Sequence, residues 1–121
     1  MMNNREELEK LHRQLEQNQK IMAADPVMAV TGLTGMASGI LMKQAEPYNI
    51  KTDPFTMKRM LDGLYRQDAL SSQLYKELDL MRRCRNEAVM NNHIPTTEET
   101  WQCLKAVTDL LAYYKEQKGG E

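Results

Sequence analysis

Leucines and methionines return at helical intervals through nearly the whole chain, and no segment shows the period-two alternation of a half-buried strand. The expected class is all-α. Leu8, Leu11, Leu15 and Met22 step by three, four and seven, with Glu, Lys, Arg and Gln between them, which predicts a narrow-striped amphipathic helix over 5–24. Asn18 falls on the same stripe. A polar residue there either fixes the register of a paired helix at a dimer interface or marks the solvent-exposed end of a frayed helix.

Asp25-Pro26 supplies an N-cap and a first-turn proline, so a second helix is expected to run to about Lys43. Gly32, Gly35 and Gly39 each lower its helix propensity by about 1 kcal/mol relative to Ala, and something must compensate. Val27, Val30, Leu33, Met36, Ile40 and Leu41 offer apolar burial. Gly35 and Gly39, four apart with Ser38 beside them, offer a face that another helix can approach closely, either within the monomer or across a dimer seam. A connection over 47–52 follows. Asp53-Pro54 then repeats the cap-and-proline signal before a short helix marked by Met57, Met60, Leu61, Leu64 and Tyr65.

A polar break at Gln67 and Asp68 leads through Ser71-Ser72 into a fourth helix. Leu74, Leu78 and Met81 set its apolar stripe, and continuing by four and three lands on Arg85 and Ala88. Arg85 is therefore expected to face inward or into an interface. An unpaired buried charge would cost several kcal/mol, so Arg85 needs an acidic partner, with Glu77 or a partner chain's Glu87 as candidates, or a phosphate. Asn91-Asn92-His93-Ile94-Pro95 suits a helix stop, and Thr96 to Glu99 reads as a capping box. The last helix is expected to bury Trp101, Leu104, Val107, Leu111 and Tyr114 before Gly119-Gly120 ends it, leaving 115–121 as a flexible tail. The pattern gives an up-and-down bundle of about five helices, with Gly35, Gly39 and Asn18 as candidate dimer-interface residues.

Composition adjusts this picture only at the margins. A chain of 121 residues suits one domain over 1–121. Charged residues make up 27% of it and the formal net charge is −1, so no global basic field favours nucleic acid, and any RNA contact must be local. Cys84 and Cys103 lie in expected helices without a Cys-x-x-Cys partner; small buried apolar residues in a reducing cytoplasm are the reading that fits. The polar start carries no export signal, and the least polar run, 26–42, is shorter than a membrane span, so no membrane insertion is expected. Ten methionines suit an adaptable core or interface. No glycine-rich phosphate loop, nucleophile elbow, paired-carboxylate site or metal-ligand cluster stands out, so neither cofactor nor metal is expected.

The run from Met60 to Met90, MLDGLYRQDALSSQLYKELDLMRRCRNEAVM, followed by the PTTEE helix start, resembles small bacterial branches of the HEPN superfamily, and the likeness covers about 21–114. The resemblance implies a helical bundle that pairs into a homodimer, with the arginine motifs of two subunits meeting in a cleft. Active members are metal-independent ribonucleases in toxin, defence and RNA-guided systems. Their motif is an Arg, commonly followed by Asn, His or Asp, and then a His after a short spacer. Arg85 and Asn86 match it. Five positions after Arg85 stands Met90, and the nearest histidine, His93, is eight after it.

Attack by the RNA 2′-hydroxyl needs a group that takes its proton, one that protonates the leaving oxygen, and positive charge against the developing phosphorane. Histidine serves the first two roles near neutral pH and arginine the third. Methionine serves none. Eight residues of continuous helix would separate Arg85 from His93 by about 12 Å, so rescue by His93 requires an early helix end. Two functions of different class follow: a non-catalytic interaction module that binds a protein partner as a homodimer, and a ribonuclease using Arg85, Asn86 and a displaced His93. RNA or nucleotide binding without cleavage, through Arg82 and Arg83 with Arg85, is a third.

Overall fold

The computed structural model describes residues 3–50 and 57–118. Among them are five α-helices and no strand: α1 (Asn4–Ile21), α2 (Pro26–Ala45), α3 (Met57–Arg66), α4 (Ser72–Met90) and α5 (Thr97–Gln117), with a 3₁₀ turn at Glu46–Tyr48. The class is all-α, as the periodicity predicts. The Asp53-Pro54 signal lies outside the described residues, as do Gly119 and Gly120. Residues 115–117 belong to α5 and are helical rather than tail.

Local chemistry sets the helix starts. Asp25 accepts the amide of Met28 at 3.0 Å with Pro26 in the first turn, and Ser71 accepts that of Leu74 at 3.1 Å. Thr96 and Glu99 close a reciprocal capping box, at 3.1 and 2.9 Å. Asn49, Asp68 and Asn92 turn the chain with positive φ of 55°, 56° and 55°, a conformation that short polar side chains tolerate.

The central helix is α2, which packs against all four others. Leu33, Ile40 and Leu41 meet Met60, Leu61 and Leu64 of α3, Leu78 and Met81 of α4, and Val107, Leu110 and Leu111 of α5 in one closed core. The end of α1 and the start of α2 lie beside Pro95 and the start of α5, while Gln44 bonds Gln117 at the opposite pole, so α2 and α5 run together and α1 and α4 run against them. By contrast, α1 buries no residue fully; Leu8, Leu11 and Leu15 are half-buried against α2. Glu7 fastens its start, pairing with Lys43 at 2.7 Å and accepting the Tyr114 hydroxyl. Burial raises the Glu7 carboxyl, but the bonds from Lys43 and Tyr114 outweigh it and hold the group below its ordinary range.

One expected core position is corrected. Trp101 is 52% exposed. The buried stripe of α5 is Thr100, Cys103, Leu104, Val107, Leu110, Leu111 and Tyr114, and Trp101 stands roughly a third of a turn from its centre.

Candidate functional site

Asn18, Gly35, Gly39, Arg82, Arg85 and Asn86 fall on two grooves that flank α2, the first beside α1 and the second beside α4. Asn18 belongs to the first. Its amide nitrogen donates to the Gln14 carbonyl at 3.0 Å and reaches Met36 Sδ at 3.6 Å. A Cβ on Gly32 would stand 2.2 Å from Asn18 Oδ1, so Gly32 is the glycine that admits α1 to α2. Within this chain Asn18 thus seats α1, and its end is not frayed.

Gly35 and Gly39 differ. Both are exposed, and a Cβ on either would meet nothing within 4 Å. They form a bare ridge between two grooves. On one side, α1 and α2 enclose about 840 Å³ lined by Leu11, Asn18, Met28 and Lys43. On the other, about 530 Å³ lies between Thr31, Ser38 and Met42 of α2, Lys58 of α3, and Arg82, Arg85 and Asn86 of α4.

The arginines of α4 divide in the same way. Asp79, buried at 6% exposure, accepts Arg82 Nε at 3.0 Å and pairs with Arg83 Nη2 at 2.9 Å, with Lys58 Nζ 3.6 Å away. Burial raises the Asp79 carboxyl, and the Arg82 hydrogen bond with the charges of Arg82, Lys58 and Arg83 overcomes this and holds it below its usual range. Lys58 also lies 3.4 Å from Asp62 and donates to the Tyr75 hydroxyl at 2.7 Å. Arg82 and Arg83 therefore stand in an ion-pair network of the fold, a network the sequence reading missed, although an Asp three and four residues ahead of two arginines on a helix is its signature.

Arg85 is half-buried on the apolar stripe, and its one hydrogen bond among the described residues is to its neighbour, Asn86 Oδ1, at 3.4 Å. Glu77, the expected partner, pairs instead with Lys105 at 2.7 Å. No described carboxylate lies within ion-pairing distance of Arg85, whose guanidinium lines the open groove.

α4 runs unbroken to Met90, which is 74% exposed. The chain then folds back: the His93 amide donates to the Glu87 carbonyl at 3.1 Å. The imidazole, however, lies 3.0 Å from Glu99 Oε1 at the start of α5 and does not line the Arg85 groove. The Thr96 amide, then His93, hold the Glu99 carboxyl below its ordinary range. Arg85 and Asn86 share a groove; His93 belongs to the helix cap. No group of three or more His, Cys, Asp or Glu able to hold a metal occurs among the described residues, and no described helix is long and apolar enough to cross a membrane. Comparison with protein-family models, curated proteins and solved structures gives no match.

Proposed function

We propose that the chain is a HEPN-like, non-catalytic helical interaction module that pairs with a second copy through the exposed ridge of α2 and binds a protein partner in a toxin, defence or regulatory setting. The observation that carries the reading is the pair of open glycines. Each costs about 1 kcal/mol of helix stability relative to Ala, yet among the described residues nothing stands within 4 Å of where its Cβ would be. A close-packed helix from outside gives that absence a physical reason. The adjoining Arg85 has no carboxylate within ion-pairing distance among the described residues, which suits a counter-charge brought by the same occupant.

The catalytic alternative has less support. Met90 stands where the motif calls for histidine, and His93 pairs with Glu99 outside the groove that holds Arg85 and Asn86. Binding of RNA through Arg82 and Arg83 would compete with their ion pairs to Asp79. Labelled single-stranded RNA incubated with the purified protein without added metal tests the reading. Wild type, Arg85→Ala and His93→Ala are all expected to leave it intact. Cleavage by wild type that both substitutions abolish would establish the ribonuclease instead.

A further inference from the structure

On the far side of α4 from the glycine ridge, Cys84 and Cys103 line one cleft of about 360 Å³ between α4 and α5. The helices are held in register there by the 2.7 Å Glu77–Lys105 bridge. Cys84 is half-buried and reached from the cleft, whereas Cys103 is 2% exposed beneath it. Both are free thiols, they stand on the two packed helices that wall this cleft, and each acts electrostatically on the other. An accessible thiol backed by a second, buried thiol is the arrangement of an oxidisable cysteine beside a resolving one.

We propose that Cys84 and Cys103 form a reversible α4–α5 disulfide, a peroxide-sensitive staple that fixes the helix presenting Arg85. Cys84, the accessible partner, reacts first: its sulfur attacks one peroxide oxygen, the O–O bond breaks, and Cys84 sulfenic acid and one water result. The Cys103 sulfur then attacks the Cys84 sulfur, and the sulfenic hydroxyl leaves as a second water with the proton from Cys103. The two thiols lose two electrons and hydrogen peroxide gains them. A small thiol reverses the bond by exchange.

Burial pushes both thiols above their ordinary range, that of Cys103 further. The reaction is therefore expected to be slow at neutral pH, and selective because both thiols line the same cleft. The closed loop runs from residue 84 to residue 103, so the bond restricts the unfolded chain and is expected to raise the thermal midpoint.

The test treats the folded full chain with hydrogen peroxide under native conditions and follows intact mass, thiol content and thermal unfolding, beside Cys84→Ser, Cys103→Ser and Cys103→Ala. The expected result is loss of two hydrogens from a single chain with both thiols consumed, helical circular dichroism retained, a raised thermal midpoint, and full reversal by dithiothreitol. No variant closes the bond, and either Cys103 variant accumulates a Cys84 sulfenic acid that dimedone traps. The alanine variant keeps this arm readable if serine disturbs the core. Oxidation only after denaturation, disulfides only between chains, or a lowered midpoint on closure would overturn the proposal.

Discussion

Two glycines and one arginine differ from near neighbours of the same kind, and the difference separates what holds the fold from what faces outward. Gly32 has Asn18 against it; Gly35 and Gly39, one and two turns on, have no described residue within 4 Å of where a Cβ would stand. Arg82 and Arg83 share a buried carboxylate, while Arg85, three and two residues later, has among the described residues only the Asn86 amide. The lesson is that residue type does not decide role here. Within one helix the same glycine serves an internal seam at one position and leaves an open ridge at the next.

The largest expected effect sharpens the arginine half of that contrast. Asp79→Ala removes a buried acceptor shared by three cations and is expected to cost about 2–4 kcal/mol in urea unfolding. Arg85→Ala is expected to change the stability of the monomer by less than about 1 kcal/mol, since it breaks no ion pair among the described residues. Equal costs for the two would erase the distinction.

The glycine half predicts unequal gains. Gly32→Ala drives a Cβ into the Asn18 amide, which must turn away and lose its bond to the Gln14 carbonyl, so its helix-propensity gain is offset and it is expected to stabilise by less than either open glycine; adding Asn18→Ala restores the space and shows as coupling in a double-mutant cycle. Gly35→Ala and Gly39→Ala are each expected to stabilise the monomer by about 0.5–1 kcal/mol, read at concentrations low enough to avoid association. Destabilisation by either would mean that the ridge has a partner inside the chain.

A smaller effect concerns acid. The Asp79 carboxyl is held below its unfolded range, so the stability it contributes is present above the unfolded Asp pKa of about 3.9 and is lost as pH falls through the folded value. Asp79→Asn should therefore flatten the acid limb of the stability profile below about pH 4, with its remaining cost independent of pH. A limb as steep as wild type's would place the pH sensitivity at other carboxylates, such as Glu7 or Glu99.

Much of the fold is legible in the sequence because it rests on local signals. The caps at Asp25-Pro26 and at Thr96 with Glu99, and the stop at Asn91-Asn92, each act within a few residues. Tertiary choices are less legible. Placing Trp101 outside the core required knowing which face of α5 meets α2, a matter of a fraction of a turn. The division among the glycines depends on where α1 crosses α2, which no spacing within α2 encodes. At the site, the stripe points to Arg85 as the anomaly, but the buried carboxylate that takes Arg82 and Arg83 lies at the stripe's edge, where an aspartate reads as solvated. His93 meets Glu99 only because the turn after Met90 folds back on α4.

Pairing through the α2 ridge makes the mass of the protein in solution depend on concentration, which sedimentation equilibrium reads for wild type and for Gly35→Leu with Gly39→Leu. Wild type is expected to rise from monomer to dimer, while the double variant, whose leucines meet open space in the monomer, stays monomeric with its helicity and thermal midpoint retained. A wild type that remains monomeric at the highest concentrations, or a double variant that associates as wild type does, would contradict the assignment of the α2 ridge as a covered interface.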